Sequence, residues 1–408
     1  MSNKNTRHGA LALATVLILL SACTSRSPSS EMQQAESSEG TCSSAVAKLS
    51  DGFDGGNMGR CEVVDSARFK LLLSPEDEPI NNSPWYAFKV EGQPGVVEVQ
   101  MEYALHAHRY VPKFSLDRNT WQPLEADAVS ISDDGRLVTL TIKVEQGPVW
   151  IAGQELFVQS DYDRWLGALV QEYGATLSTI GESAGGRPVY LLETQPQKPG
   201  DTLVLLGRAH PPEVTGALAM RHFVNQLFES HADFLATHKL FIVPLLNPDG
   251  VAQGYWRHGL GGLDLNRDWG LFTQPETGLV IQALNERIAQ GDRPVLMLDF
   301  HSTRRNVFYT QTDEEDAQMD NFTQRWFGRA RGMGVYPFEH ARRHNEALPT
   351  SKNYFHSRFA VPAITFELGD NTPREAIEGS VRKFADALVE ELLEERVEEV
   401  QEAPDEIE

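Results

Sequence analysis

The chain of 408 residues is poor in cysteine, with three, and poor in basic charge, with 36 Lys and Arg against 58 Asp and Glu. Three cysteines cannot build a Cys₄ zinc or iron–sulfur site. A formal net charge of −22 removes the electrostatic footprint of a nucleic-acid partner. The apolar stretch at residues 9–22 holds 14 residues, too short for a bilayer span of about 20. No internal repeat is evident. What is present is 41% hydrophobic and 23% charged residues with 32 Gly and 22 Pro, a globular composition long enough for more than one core. Twelve histidines and many carboxylates remain, so any metal site must be made of His with Glu or Asp. The negative charge is uneven: from Glu390 onward ten acidic residues face Arg396 alone. Such a block reads as a solvated helix end, with a partner-binding tail as the alternative.

Lys4 and Arg7 precede the 9–22 stretch, so residues 1–22 read as a signal peptide. The stretch ends Leu20-Ser21-Ala22-Cys23, which resembles the lipobox of bacterial lipoproteins. That resemblance implies acylation of Cys23 and attachment to a membrane through a lipid anchor in the bacterial cell envelope. Thr24 rather than Asp after the cysteine suggests the outer membrane, facing the periplasm. Residues 23–44 are largely Ser-rich and polar, as a flexible tether requires. Export also makes the compartment oxidising. Cys42 and Cys61 are then expected to form a disulfide, with two buried free thiols as the alternative.

Within residues 45–158 the apolar patterns are short: 67–73, 85–90, 95–101, 137–144 and 148–157, separated by Gly- and Pro-containing breakers. Short strands at this spacing predict an antiparallel β-sandwich. From 159 to 395 the rhythm changes. Apolar runs at 202–207, 240–246, 295–300 and 363–368 read as buried strands, and 214–228, 277–289, 319–331 and 374–393 show helical spacing. The expected fold is α/β, a mixed and largely parallel sheet covered by helices. Residues 396–408 form the acidic tail.

Open α/β sheets place their ligands beyond the carboxyl ends of the strands. Four such positions carry unusual polar residues: His210-Pro211-Pro212-Glu213; Asn247-Pro248-Asp249-Gly250 leading to Arg257 and Asp264-Leu265-Asn266-Arg267; Asp299-Phe300-His301-Ser302; and Glu367 within Thr365-Phe366-Glu367-Leu368. Two ligands close in sequence, His210 and Glu213, with the distant His301 make a His₂Glu set, which leaves one zinc ion an open position for water. A hydrolytic site of this kind also needs a base, for which Glu367 is placed, and a cation for the developing oxyanion, for which Arg257 is placed. Asn266 and Arg267 are suited to a substrate carboxylate, and Asp264 to orienting His210.

These motifs resemble the zinc carboxypeptidases of the carboxypeptidase A type, across most of residues 162–395, and more closely their cytosolic carboxypeptidase, or deglutamylase, branch. Likeness to that branch rests on Phe53-Asp-Gly-Gly-Asn57 and Trp85-Tyr-Ala-Phe88, on Asn247-Pro-Asp-Gly250, on the step of nine from Arg257 to Asn266, and on Asn306-Val307-Phe308 five residues after His301. Pro212 stands where the family more often has Gly. The resemblance implies removal of a C-terminal amino acid from peptides or proteins by zinc-activated water, with no nucleotide cofactor. The family's substrate-capping Tyr is sought at Tyr354, although it lies nearer Glu367 than the usual spacing. Lys352, 15 residues before Glu367, stands close to where the family sets side-chain preference. With Arg304 and Arg305 it would favour acidic C-terminal residues, the alternative being ordinary solvated charge. Two rival readings are a murein peptide amidase acting on peptidoglycan stem peptides and a catalytically inactive peptide-binding module.

Overall fold

The computed structural model describes residues 40–194, 199–311, 317–342 and 347–402. The expected signal peptide, Cys23, the tether up to residue 39 and residues 403–408 lie outside them. Among the described residues no helix is long and apolar enough to cross a membrane.

Strands of the first domain are β1 Thr41–Ser43, β2 Ala47–Ser50, β3 Arg60–Val63, β4 Arg68–Leu73, β5 Ala87–Gly92, β6 Gly95–Tyr103, β7 Lys113–Ser115, β8 Gln122–Pro123, β9 Val129–Ile131, β10 Leu137–Val144 and β11 Val149–Ala152. They form two sheets, in the orders β1-β2-β5-β11-β7-β8 and β3-β4-β6-β10-β9. Alternation sets the inner face: Val97, Val99, Met101 and Tyr103 of β6 are buried and the residues between them are not. The sandwich departs from the antiparallel expectation at one place. β4 and β6 run parallel, Arg68 opposite Glu98, because the chain crosses to β5 in the other sheet before it returns. Cys42 of β1 and Cys61 of β3 are joined by a disulfide with a Cα–Cα distance of 6.0 Å, which staples one sheet to the other. The domain therefore starts at β1, inside the segment expected to be tether, because Thr41 pairs with Ser50.

The second domain opens with α1 Gln159–Tyr173 and continues β12 Thr176–Glu182, β13 Pro188–Glu193, β14 Asp201–Gly207, α2 Val214–Ser230, α3 Ala232–Leu235, β15 Lys239–Val243, α4 Pro248–Gln253, α5 Pro275–Ala289, β16 Arg293–Thr303, β17 Val307–Thr310, α6 Ala317–Gly332, β18 Glu339–Arg342, α7 Ser351–Phe359, β19 Ala363–Gly369 and α8 Arg374–Glu402. One eight-stranded sheet has the order β12-β13-β15-β14-β16-β19-β17-β18. Its centre, β15-β14-β16-β19, is parallel; β12 and β13 run against their neighbours, and β17 runs against β19 but parallel to β18. Successive side chains of β14 enter opposite layers. Leu203 and Leu205 pack in one cluster with Phe223 of α2 and Phe384 of α8, whereas Val204 and Leu206 pack with Val280 and Leu284 of α5. A strand buried on both faces reads as a continuous apolar run, which is how it appears in the sequence. α8 continues to Glu402, past the expected domain end at 395, so the acidic block begins as helix.

The sandwich is fastened to the second domain at several points, two of which lie at the Phe53–Asn57 turn and at Arg109. Asn57 Nδ2 donates to Gly254 O at 2.8 Å, and Gly55 N donates to Ala252 O at 2.8 Å. Trp85 Nε1 holds Gly55 O at 2.8 Å. A Cβ on Gly56 would lie 2.0 Å from Asp51 O, so the turn requires glycine there. The Phe53–Asn57 and Trp85–Phe88 motifs thus build this joint. At the second point Arg109 meets Asp370, which follows β19, with Nε to Oδ2 at 2.8 Å and Nη2 to Oδ1 at 3.1 Å. Both side chains are buried, and the fork geometry suits a carboxylate.

Candidate active site

Parallel strands leave the carboxyl ends of β14, β16 and β19 on one edge, and the side chains singled out in the sequence meet there. His210 follows β14, and Glu213 sits at the N-terminal cap of α2. His301 lies on β16 opposite Glu367 of β19, and paired residues of neighbouring strands share a face. α2 can approach β16 closely because position 216 is glycine: a Cβ there would lie 2.6 Å from His301 O.

Among the described residues, His210, Glu213 and His301 form one group able to share a metal ion, and all three are buried. Fit to a cation follows from their hydrogen bonds. His210 Nε2 lies 2.9 Å from Asp264 Oδ1, and His301 Nε2 lies 2.9 Å from Asp299 Oδ2. A neutral imidazole that donates its Nε2 proton to a carboxylate turns an Nδ1 lone pair the other way. Those two Nδ1 atoms are 3.2 Å apart, and they face Glu213 Oε1 at 2.9 Å and Oε2 at 2.8 Å. Lone pairs and a carboxylate converging on one point call for a positive charge between them, and a His₂Glu donor set suits zinc.

Asp264 serves two residues. Its Oδ1 holds His210, and its Oδ2 accepts Arg257 Nε at 2.7 Å. Burial opposes its ionisation, but His210, Arg257 and Arg267 hold the carboxyl well below the usual range. Asn247 ties the same loops together by donating Nδ2 to Ala209 O at 3.2 Å and to His258 O at 2.9 Å. The Asn-Pro-Asp-Gly motif is therefore a brace between the His210 and Arg257 segments.

Glu367 stands beside the metal group, and its Oε2 has no hydrogen-bond partner among the described residues. Burial first, and then the Glu213 carboxylate, push its carboxyl up to about 7. These residues open into a cleft of about 820 Å³. Around it stand Arg109, Arg257, Arg267, Arg304, Arg305 and Lys352, against the carboxylates of Glu213 and Glu367. A strongly acidic protein thus lines its cleft with positive charge.

The remaining sequence expectations divide. Arg267 lines the cleft at the edge of solvent, with Nη1 on Asn266 O at 2.7 Å. Asn266 lines it too, but its amide is engaged within the chain: Oδ1 accepts Ser351 N at 2.9 Å, and Nδ2 sits 3.2 Å from His301 Nε2. Lys352 is buried in the cleft wall with Nζ 3.0 Å from Asn353 Oδ1. Arg305 pairs with Glu339 at 3.1 Å. Tyr354 is placed outside the cleft, which corrects its assignment as a substrate cap. It packs against Trp269, Phe272, Phe355 and Phe359. Each residue of α7 turns the side chain by about 100°, so Lys352 and Asn353 face the cleft and Tyr354 does not. Tyr309 of β17 lines the cleft instead.

Sequence patterns gave no role to several other participants. Asp299 could have been found from its place two residues before His301 on a strand, hence on the same face. Arg109 and the pair Asn82 and Ser83 come from the sandwich, and no local signal links them to the cleft.

Comparison with known proteins agrees with this geometry. The sequence pattern of the family described as zinc carboxypeptidase matches residues 162–377. Cytosolic carboxypeptidase 2 of Homo sapiens is 26% identical over 297 residues, covering 63% of this chain and 33% of that protein; the match spans about a third of that relative's length. In fold the chain is similar to a metallo-carboxypeptidase from Burkholderia cenocepacia, with a TM-score of 0.71 at 20% identity, covering 85% of this chain and 100% of the other. It is also similar to a metallo-carboxypeptidase from Pseudomonas aeruginosa in complex with (2-guanidinoethylmercapto)succinic acid, with a TM-score of 0.65 at 21% identity, covering 84% and 99%.

Proposed function

The chain belongs to the zinc carboxypeptidase family, and on that premise we propose that it is a metallocarboxypeptidase that releases the C-terminal residue of peptides or proteins. The observation that carries this reading is the convergence of two imidazole Nδ1 atoms and the Glu213 carboxylate beside the unpartnered Glu367, at the floor of a basic cleft. His210, Glu213 and His301 would hold one zinc ion, which when bound supplies Lewis acidity toward water and the scissile carbonyl. The chain's own residues do the rest. Arg267 receives the terminal carboxylate of the substrate, so the last peptide bond is the one brought over the floor. Glu367 takes the proton from the attacking water at Oε2 and passes it to the departing amine nitrogen. Arg257, fixed by Asp264, meets the oxygen on which negative charge develops.

Side-chain preference is proposed to be acidic. Lys352 supports this most, since it is buried in the cleft wall, where water screens a cation poorly; Arg304 and Arg305 add exposed positive charge at the rim. Lys352→Ala is expected to lower kcat/KM for peptides ending in Glu or Asp by about 10- to 100-fold, the worth of one charge-assisted hydrogen bond, with little change for peptides ending in Ala. Equal losses on both would remove Lys352 as a selector. Assays of a peptide series varied at its last residue, run beside murein tripeptide, test the activity itself. Turnover of murein tripeptide alone would replace this reading with the peptidoglycan amidase.

Location is part of the proposal. The Leu20-Ser21-Ala22-Cys23 sequence supports a lipid anchor at Cys23 facing the bacterial periplasm. Fatty-acid labelling of the expressed protein is expected and should be abolished in Cys23→Ser; labelling that persists in that variant would contradict it.

A further inference from the structure

The loop between β4 and β5 leaves the sandwich and reaches the segment that carries Arg257. There the Glu76 carboxylate accepts three consecutive backbone N–H groups: Trp256 to Oε2 at 2.7 Å, Arg257 to Oε1 at 2.7 Å and His258 to Oε1 at 2.6 Å. Successive N–H groups that converge in this way form a nest for an anion, and here the anion is a side chain of the other domain. Next in the loop, Asp77 Oδ2 lies 3.4 Å from His258 Nδ1. A few residues later Asn81, Asn82 and Ser83 form part of the cleft wall.

Segment 255–259 belongs to no helix or strand. Its N–H groups at 256–258 have no ladder to join, and a buried backbone donor left without an acceptor is costly. Glu76 satisfies all three at once and thereby holds the backbone of Arg257. Asp264 holds the same residue at the other end, through Nε. Arg257 is thus gripped twice, once at its main chain by the sandwich and once at its guanidinium by the second domain.

We propose that Glu76 is a positioning residue for Arg257, so that the β-sandwich completes the part of the active site that meets the developing oxyanion. This rests on the reading of Arg257 given above. A clamp that served stability alone would leave turnover per folded molecule unchanged. A positioning clamp acts on an interaction formed in the transition state, so its loss lowers kcat and leaves KM nearly as it was. Displacement of a reacting contact by about 1 Å costs up to about 100-fold in rate.

The test compares full-length zinc-loaded wild type, Glu76→Gln, Glu76→Asp, Arg257→Ala and the Glu76→Gln/Arg257→Ala double variant. The readouts are kcat, KM, thermal midpoint and hydrogen exchange at the amides of residues 256–258. Glu76→Gln keeps one acceptor oxygen and turns an NH₂ group toward an N–H donor. Its expected kcat is about 10- to 100-fold below wild type, with KM within a factor of about three and faster exchange at 256–258. Glu76→Asp retains the charge one methylene short and is expected to fall between the two; it carries the comparison if Glu76→Gln does not fold. In the Arg257→Ala background the Glu76→Gln step should cost little more. Wild-type kcat in Glu76→Gln with Arg257→Ala impaired would overturn the positioning role alone. The same would follow if the Glu76→Gln loss multiplied undiminished in the Arg257→Ala background. Wild-type kcat in Arg257→Ala would overturn the reading of Arg257 and this proposal with it.

Discussion

Glu367→Gln is expected to lower kcat for release of a C-terminal residue by about 10²- to 10⁴-fold, the usual worth of a general acid–base group. Zinc content and the binding of a non-hydrolysed peptide should stay close to wild type. Glu367 stands opposite His301 across the β16–β19 pair, it lines the cleft, and its Oε2 has no hydrogen-bond partner among the described residues. An amide is nearly the same size, so the strand pairing survives, but it carries no basic oxygen to take a proton. The acid limb of the pH profile provides a second signature. Burial and the Glu213 carboxylate push Glu367 up to about 7, and a divalent cation among the ligands draws it back. Wild-type activity should therefore fall as pH drops through a range below 7, where the base becomes protonated. The residual activity of Glu367→Gln should lack that limb. Stopped assays across pH 4 to 9, with zinc measured on the same samples, decide the matter; a variant with wild-type kcat would remove Glu367 as the base.

The second large effect concerns the ligands. His301→Ala is expected to lose zinc and activity together, and not to regain turnover at zinc concentrations that saturate the wild type. Losing a carboxylate that orients a ligating histidine costs about 10- to 100-fold in affinity, and losing the ligand itself should cost more. Asp299→Asn offers the graded comparison, because Asp299 Oδ2 holds His301 Nε2 at 2.9 Å and the amide keeps the shape without the charge. Competition with a coloured zinc chelator reads both affinities directly. Retention of wild-type affinity by His301→Ala would place the ion elsewhere.

The parts of this site legible in the sequence are those with both a local pattern and a topological address. His210 and Glu213 announce themselves by spacing at the end of an apolar run, and His301 and Glu367 by sitting at the ends of two others. Their convergence follows from the rule for open sheets, which is why four distant segments could be assembled on paper. Tyr354 misled because spacing to Glu367 carries no information about which way a helix turns a side chain. Arg109 and Glu76 were illegible for a different reason. Each acts on a partner more than 150 residues away, Arg109 on Asp370 and Glu76 on the 256–258 amides, and nothing near them in sequence marks the contact. The parallel pairing of β4 with β6 was hidden likewise, since it depends on the chain changing sheets between them. Alternation reveals a strand's faces, not its neighbour.

The claim that joins these observations is that a metal held by His210, Glu213 and His301 drives hydrolysis at a free C-terminus. Mass spectrometry of one peptide in two forms tests it most directly, one ending in a free Glu carboxylate and the other in its amide. Each is incubated with the purified zinc-loaded protein, with protein stripped by chelator, and with stripped protein given zinc again. The account predicts loss of the single terminal residue from the free acid, none after stripping, recovery on readdition, and no cleavage of the amide. Release that persists undiminished after stripping, or cleavage that ignores the terminal carboxylate, would contradict it.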